Sequence, residues 1–398
     1  MIIHDPIYGR FQLPSFLERF VLSPEFRRLS EIRLININSA SLAALADVRR
    51  YSHTLGVLFL TLSNPLASFG EDEHRALLAA MIVHDAGTPA FAHLFEYFLM
   101  DKFDWDHEKV VPLLLRKEHH PDKSAHQIYS SQIPIFEKIC SKSKVDFELV
   151  LSMLDGRHPG SKLIFGSVDF DNIDNVARMN WMLGNRFDPA RLISLASSID
   201  VGPKGELQIP ELQRDNLQLW ADLRRQAYQV LVFDGPTVAG QAVLSRAIAD
   251  ALDDQTLSVD DWHYQDSDLI GTIRAHSPKG KLRLENDFFG MPPSTLLTWQ
   301  IEDPDHPLHS LSRETLNEFI EDFLVERFSV PRPYGYVFRD RGTFSKKVVA
   351  IDPGTKKAWA LGERSHSLIL YGFGGKKSAK NPAAIGREFE CWIAPKIS

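Results

Sequence analysis

Cysteine is scarce in this sequence, since only Cys140 and Cys391 occur among its 398 residues. The two lie far apart and form no C-x-x-C pair, so no disulfide framework is indicated. Uncharged apolar runs long enough to span a membrane are also missing. The residues after Met1 lack the basic and long apolar regions of a secretory signal. We therefore expect a cytoplasmic, disulfide-free protein with no membrane partner.

Basic residues are fewer than acidic residues overall, and the net charge is −7. At the C-terminal end, however, basic residues predominate. Residues 331–398 contain 13 Lys and Arg against 5 Asp and Glu, a balance of +8, which leaves −15 for the remaining residues. This distribution suggests self-association or capture of an anionic partner, with a solvated basic surface as the alternative. RNA or DNA is a weaker alternative, because no nucleic-acid-binding module of known type occurs there.

The apolar pattern changes near residue 275. Residues 1–275 have mostly helical periods, whereas residues 276–330 mix loop sequence with one helix at 314–327. Short apolar segments separated by turn residues follow, and they predict strands at 334–338, 347–351, 367–371 and 389–393. We predict a mainly α fold, with a helical body over 1–275 and a C-terminal α+β lobe over 276–398 that contains a small antiparallel β part.

The most informative segment is an apolar run that ends in a His-Asp pair. From Arg75 to Val83 the residues leave almost no polar face, which indicates a buried helix, and His84 and Asp85 follow directly. Gly87 then interrupts the run. Two adjacent ionisable residues at the end of such a helix are costly to bury without a partner, and a divalent cation is the simplest one.

Further candidate ligands lie before and after this pair. His53 precedes an apolar run at 55–60, which puts it near the start of another buried helix. Downstream, Asp169, Asp171 and Asp174 follow the apolar residues 163–165 and begin a helical pattern, in which Asp174 and Arg178 have the i,i+4 spacing of a structural ion pair. The chain therefore carries a His, a His-Asp pair and a distant Asp, each on a predicted helix or at its edge. The alternative is that both histidines are hydrogen-bonded core residues.

This order of residues resembles the ligand set of the HD phosphohydrolases. Other segments are similar to the deoxynucleoside triphosphate triphosphohydrolases within that superfamily, namely DPIYG (5–9), PEFRRL (24–29), SHTLG (52–56) and RQAYQ (225–229). The similarity covers about the first two thirds of the chain and weakens after about residue 275. It implies an HD-domain helical body and a phosphohydrolase that uses a metal-activated water to cleave a phosphoester of a nucleotide or (deoxy)nucleoside triphosphate.

The resemblance assigns the metal ligands as His53, His84, Asp85 and Asp171. Two imidazoles and two carboxylates suit one divalent transition metal, and these ligand types do not choose among Mn²⁺, Fe²⁺, Co²⁺, Ni²⁺ and Zn²⁺. Asp171 matches the second Asp of the family's Asp-x-Asp-x-x-Asp pattern, which leaves Asp169 as a helix cap or a residue that holds the loop. The resemblance also allows a second divalent ion such as Mg²⁺. His93 and His107 would then lie beside that ion.

The same resemblance implies residues that handle the substrate. Catalytic candidates are His107, His93 and Glu108, and substrate-binding candidates are Arg50, Tyr228 and Glu96. His107 is the acid-base candidate, and His93 contacts a phosphate or a second metal. Arg50 matches a residue that lies against the nucleotide, and Tyr228 matches one that lines the sugar pocket. The alternatives are that His93 is a packed residue on an apolar helix, that Arg50 is a surface charge and that Tyr228 is a core tyrosine.

Several positions depart from the family pattern. Thr88 replaces a histidine, Asn172 a phosphate-binding lysine, and Trp220 an arginine that grips the triphosphate. Asn175 and Met179 replace a tyrosine and an aspartate that contact the sugar. The substrate is therefore expected to be shifted, to a different nucleotide, a monophosphate or another phosphoester.

Other functions remain open at this level. Because these substrate contacts are missing, the alternative function is that of a catalytically altered HD protein that acts as a nucleotide sensor or assembly subunit. Adjacent His119 and His120 raise a two-metal site, although polar, loop-like sequence surrounds them. An HD-type oxygenase with two irons needs further histidine ligands. The resemblance also implies a homo-oligomer whose small-molecule partner is a phosphoester.

Overall fold

The computed structural model describes residues 1–37, 39–116, 136–375 and 381–396. Most of these residues are helical and the sheets are small, which confirms the predicted mainly α fold with α+β character. Among the described helices, none combines the length and the apolar character that crossing a membrane requires.

Helices form most of the part before residue 277. In the described residues they are α1 (Glu18–Val21), α2 (Pro24–Arg28), α3 (Ala43–Ala46), α4 (Arg50–Leu62), α5 (Glu71–Val83), α6 (His93–Phe103), α7 (His107–Arg116), α8 (Phe136–Lys142), α9 (Phe147–Leu154), α10 (Phe170–Met182), α11 (Pro189–Ala196), α12 (Arg214–Phe233), α13 (Gly235–Asp253) and α14 (Asp266–His276). Later helices are α15 (Pro278–Arg283), α16 (Arg313–Phe328) and α17 (Pro382–Ile393).

The strands are short and lie at both ends of the chain and in one central hairpin. They are β1 (Ile2–Asp5), β2 (Gly9–Gln12), β3 (Asp200–Val201), β4 (Leu207–Gln208), β5 (Thr295–Ile301), β6 (Tyr334–Arg341), β7 (Val348–Ile351), β8 (Ala358–Leu361) and β9 (His366–Phe373). Within the described residues they form the hairpin β1-β2, a sheet in the order β3-β4-β7-β8 and a sheet in the order β5-β9-β6. Only β4 and β7 among these neighbours pair in parallel.

The N-terminus of α10 shows how local sequence positions Asp171, a candidate ligand. Asp169 accepts a hydrogen bond from the Asn172 N–H at 2.6 Å, which is the predicted helix cap. This cap starts the helix one residue before Asp171 and puts that carboxylate in the first turn. Asp174 follows at i+3 and therefore lies on the same helix face.

The C-terminal strand predictions are mostly confirmed, because β6, β7 and β9 cover the first three predicted segments. The strand predicted at 389–393 is wrong, since these residues form the end of α17. Phe389 and Ile393 lie four residues apart and are both buried, and Asn381 caps the helix by accepting from the Ala384 N–H at 3.1 Å. A short apolar run does not by itself distinguish a strand from a helix. Strand β5 lies in the segment 276–330, for which only loop sequence and one helix are predicted, although its flanking turn residues were a usable strand signal.

The C-terminal residues pack directly on the helical body. Val348, Ala350 and Trp359 of β7 and β8 join the same apolar core as α4, α5 and α10. Strands β6 and β9 pack against α13 through residues such as Tyr334 and Ile369. These contacts carry the loop between β6 and β7 to the cavity described below. A division of the chain near residue 275 stays a prediction.

Candidate metal centre

The four predicted metal ligands meet where α4, α5 and α10 converge. His53 lies in the first turn of α4, His84 and Asp85 directly follow α5, and Asp171 lies in the first turn of α10. One ligand atom from each residue lies within 4.8 Å of the others. Nε2 of His53 lies 2.7 Å from Oδ1 of Asp171, and Nε2 of His84 lies 3.4 Å from the same oxygen.

The Nδ1 atoms of His53 and His84 each contact a second residue outside the ligand set. Nδ1 of His53 lies 2.7 Å from Oδ2 of Asp174, and Nδ1 of His84 lies 2.8 Å from the carbonyl oxygen of Met81. Each of these contacts requires a proton on Nδ1 when the ring is neutral, because both partners only accept. The lone pair is then on Nε2, which is the nitrogen nearest Asp171 in both rings. Such outer contacts fix the tautomer and orientation of metal-binding histidines.

The donor atoms fit a divalent cation. Oδ1 of Asp85 accepts from Nη1 of Arg50 at 2.6 Å, whereas Oδ2 is buried and has no hydrogen-bond partner among the described residues. Burial lowers the pKa of His53, but contacts with Asp171 and Asp174 outweigh burial and raise the pKa to about 9. The surrounding carboxylates therefore favour positive charge. An orphan carboxylate oxygen beside two imidazole lone pairs is a suitable donor set for a transition metal.

Helices α4 and α10 approach closely at Gly56, three residues after His53. A Cβ atom at Gly56 would lie 2.0 Å from Oδ1 of Asp174 and 2.3 Å from Nη2 of Arg178. Nε of Arg178 donates to Oδ2 of Asp174 at 2.9 Å, which confirms the predicted ion pair, and Nη2 donates to Oδ2 of Asp5 at 2.9 Å. The missing side chain at Gly56 leaves room for Asp174 to reach the His53 ring.

A second cluster places one carboxylate between two histidines. Oε2 of Glu96 lies 2.7 Å from Nδ1 of His93, and Oε1 contacts both Nδ1 and the backbone N–H of His107. Glu96 is only 4% exposed. His93 and His107 line the cavity described below, whereas Glu96 does not. Burial by itself lowers the pKa of His107, but the hydrogen bond and charge of Glu96 outweigh it and raise the pKa. The sequence assigns Glu96 to substrate binding, whereas its contacts indicate that it positions the histidines.

A second cation near this cluster stays a prediction. Glu96, Asp106 and His107 each bring a ligand atom within 4.8 Å of the others. Both oxygens of Glu96 already contact imidazoles, so a cation there shares these oxygens with His93 and His107. The other two-metal candidates, His119 and His120, lie outside the described residues.

Strained backbone lies directly before His93. Phe91 and Ala92 have φ angles of 54° and 51°, in the left-handed region that residues with a side chain rarely adopt. Oδ1 of Asp266 accepts from the Phe91 N–H at 2.7 Å, and Oδ2 accepts from the Arg33 N–H at 3.2 Å. Such strain costs on the order of 1–3 kcal/mol per residue and is common at functional sites. The buried Asp266 thus holds the turn from which α6 and His93 depart.

A cavity of about 550 Å³ joins the two clusters. Every predicted site residue except Glu96 contributes to its wall, including Arg50, Tyr228 and Glu108. The guanidinium of Arg224 lies 4.7 Å from the centre of the Tyr228 ring. Burial raises the pKa of the Glu108 carboxyl group. The fold therefore brings candidate metal ligands, histidines and substrate candidates to one concave site, as expected of a small-molecule pocket.

Sequence reasoning missed several cations on this wall. Arg224 lies one helical turn before Tyr228 on α12, and Lys346 lies in the loop between β6 and β7. Arg313 and Arg339 of the C-terminal part also contribute. The helical period of α12 was a usable signal for Arg224. For Lys346 and Arg339 the signal was the general positive charge of residues 331–398, whereas Arg313 lies before that segment.

The residues that depart from the family pattern lie in different environments. Asn172 and Asn175 lie on the cavity wall, whereas Met179 belongs to the apolar core. Trp220 is fully buried, and its Nε1–H donates to the carbonyl oxygen of Asn172 at 3.3 Å. These four neutral side chains supply no positive charge for a phosphate.

Comparison with curated proteins gives distant relatives. The chain is 24% identical over 218 residues to the deoxynucleoside triphosphate triphosphohydrolase SAMHD1 homolog of Dictyostelium discoideum, which covers 50% of this chain and 40% of that protein. It is 25% identical over 264 residues to the SAMHD1 enzyme of Homo sapiens, covering 57% of this chain and 41% of that protein. The chain thus spans less than half the length of these two relatives. No family model matches it.

Solved structures give a more complete match. The fold resembles the crystal structure of a phosphohydrolase from Bacteroides thetaiotaomicron with a TM-score of 0.64. The similarity covers 93% of this chain and 99% of that chain, at 16% sequence identity. At this identity the match shows a shared fold along nearly the whole chain, including the C-terminal part.

Proposed function

Since the chain is related to the HD phosphohydrolase superfamily, we propose that it is a metal-dependent phosphohydrolase. Its substrate class is a phosphoester of a nucleotide or (deoxy)nucleoside triphosphate. The observation that carries the proposal is the meeting of His53, His84, Asp85 and Asp171 on the wall of one cavity. His107, supported by Glu96, lines the same cavity and is available for proton transfer.

The chemistry divides between the cation and the chain. When bound, a divalent cation supplies Lewis acidity toward a phosphoryl oxygen and the attacking water. Asp174 and Met81 orient the two ligand histidines, and Arg50 holds the Asp85 carboxylate. These contacts keep the ligand atoms in place before the substrate arrives, so little reorganisation is needed during the reaction.

His107 is the candidate proton donor. Hydrolysis of a phosphoester needs protonation of the leaving oxygen. Nδ1 of His107 is engaged by Glu96, which leaves Nε2 to exchange a proton with the substrate. Glu96 raises the pKa of His107 and so keeps the ring protonated to higher pH than an ordinary histidine.

Glu96→Gln is expected to lower kcat by about 10- to 100-fold and to shift the pH profile. Glutamine removes the negative charge that raises the pKa of His107. The ring then loses its proton at lower pH, because a raised pKa keeps the charged form until the pH passes that value. The alkaline limb of the kcat profile should move to lower pH, which steady-state kinetics across the neutral and alkaline range will measure.

The matched variant for this test is Glu108→Gln, which removes an equal charge from the neighbouring acid. Its alkaline limb should stay closer to that of the wild type, because Glu96 is the carboxylate that contacts the His107 ring. An alkaline limb unmoved by Glu96→Gln, but moved by Glu108→Gln, would reverse the roles of the two acids.

The function itself is tested by a mass-spectrometric hydrolysis screen in the presence of Mn²⁺. Deoxy- and ribonucleoside tri- and monophosphates are incubated with the wild type and with the double variant His84→Ala/Asp85→Ala. We expect turnover of at least one nucleotide by the wild type and none by the variant, because the variant lacks two of four ligands. Release of intact triphosphate indicates the family reaction, and release of phosphate from a monophosphate indicates a changed specificity.

A nucleotide sensor or assembly subunit makes a different prediction for the same screen. It binds metal and nucleotide but shows no turnover of any compound. Turnover that persists in the double variant contradicts the metal-dependent mechanism. A homo-oligomer and a cytoplasmic location both remain predictions.

A further inference from the structure

Two cations from distant parts of the chain meet at one amide oxygen. Nη1 of Arg224 donates to Oδ1 of Asn172 at 3.2 Å, and Nζ of Lys346 donates to the same oxygen at 3.3 Å. Nδ2 of Asn172 donates to both oxygens of Asp169 at 2.9 Å, which fixes the amide with its oxygen toward the cations. All four side chains line the cavity that holds the candidate metal ligands, and Asn172 directly follows Asp171, one of those candidates.

Neither cation forms a direct ion pair with a carboxylate in the described part of the chain, and the buried Nε of Arg224 has no hydrogen-bond partner there. Arg224 is only 6% exposed. Burial, and then the charge of Arg224, lower the pKa of Lys346, and the charges of Asp169 and Asp171 oppose this only in part. A buried and a half-buried positive charge that share one neutral acceptor are costly, because nearby carboxylates offset the desolvation and the mutual repulsion only in part.

An anion is the partner that removes this cost. Guanidinium and ammonium groups on one wall are the common recognition elements for phosphate, since both donate charge-assisted hydrogen bonds. The position beside Asp171 lies within the cavity that holds the candidate metal ligands, so the anion can belong to the same substrate. Asn172 acts as a neutral spacer that holds the two cations together until the anion binds.

We propose that Arg224 and Lys346 form an anion subsite for a second phosphate of the substrate, beyond the phosphoester that is hydrolysed. The inference rests on the proposed function for the identity of the substrate, but the subsite itself binds a phosphate chain without hydrolysis. It makes the β6–β7 loop a part of the active site. It also favours a nucleoside di- or triphosphate over a monophosphate as the substrate class.

Direct binding of inorganic tripolyphosphate in EDTA tests the subsite without metal or turnover. Isothermal titration calorimetry with Lys346→Gln and with Arg224→Gln should show affinity about ten- to a hundredfold below that of the wild type. Lys346→Arg keeps the charge and should restore most of the affinity. The matched controls Lys347→Gln and Arg225→Gln neutralise the exposed neighbours and should bind as the wild type does. Thermal melting of each variant checks that it is folded.

Kinetics with Mn²⁺ connect the subsite to the substrate. The loss of kcat/KM in Lys346→Gln should be at least about tenfold larger for a nucleoside triphosphate than for bis(p-nitrophenyl) phosphate, which has no second phosphate. Equal tripolyphosphate affinity in wild type, Lys346→Gln and Arg224→Gln overturns the inference, as does a wild type that binds no tripolyphosphate. Charge-dependent tripolyphosphate binding by a protein that hydrolyses nothing supports the subsite while the proposed function fails.

Discussion

Asp171→Asn is expected to abolish metal binding and to lower the hydrolysis rate by more than about 100-fold. Removal of an outer partner of a metal ligand already costs about 10- to 100-fold, and Asp171 is a candidate ligand itself. Its Oδ1 is the atom nearest Nε2 of both His53 and His84, so the change also removes the negative charge at the centre of the cluster. Metal content by mass spectrometry and initial rates on the substrate found by the screen measure both effects.

Asp169→Asn is the control that the local sequence provides. Asp169 precedes Asp171 by two residues and caps α10 through the Asn172 N–H. Asparagine is also a good helix cap, so the helix should form and the metal should remain bound. If Asp169→Asn loses the metal and Asp171→Asn keeps it, the assignment within this Asp-x-Asp segment is the wrong way round.

Gly56→Ala is expected to destabilise the protein by about 3 kcal/mol or more. The added Cβ would lie 2.0 Å from Oδ1 of Asp174. That carboxylate cannot move freely, because His53 and Arg178 hold it inside the protein. Relief of the contact therefore separates α4 from α10 or breaks a buried ion pair. Metal affinity should fall with stability, since the same displacement shifts His53 away from Asp171.

Thermal and urea unfolding measure this change, and Gly271→Ala is its matched control. Gly271 lies inside helix α14, and a Cβ atom there would have no neighbour within 4 Å. Alanine is the better helix former, so this variant should be as stable as the wild type or slightly more stable. A Gly56→Ala protein that unfolds at the wild-type midpoint would show that the helices accommodate the methyl group.

The two cations at Asn172 also bear on the altered family pattern. In the resembling enzymes a lysine occupies the position of Asn172 and an arginine that of Trp220, so the loss of both favours a shifted substrate. The structure brings Arg224 from the next turn of α12 and Lys346 from the C-terminal part to the same point. We expect positive charge for phosphate to be supplied from different positions in the chain.

The contacts that the sequence did not reveal are those between residues far apart in the chain. Glu96 follows His93 by three residues, so their pairing on one helix was accessible from the period. The contact of Glu96 with His107 depends on how the segment between α6 and α7 turns, which no period predicts. The same holds for Gly56. A small residue is required at this position of α4 only because α10 packs closely against it.

The sequence by itself determined the helical body and indicated an ionisable pair in need of a partner, because apolar periods mark buried helices and ionisable residues at their ends are costly to bury alone. The full set of four candidate ligands, with Asp171 among them, came from the resemblance to the HD phosphohydrolases. It also indicated the ion pair of Asp174 with Arg178 by its spacing and offered the cap as one of two roles for Asp169, because both are local contacts. Only the tertiary structure decided that 389–393 is helical and that Lys346 reaches the cavity from the C-terminal part. These features depend on packing between distant segments, which residue type and spacing alone do not specify.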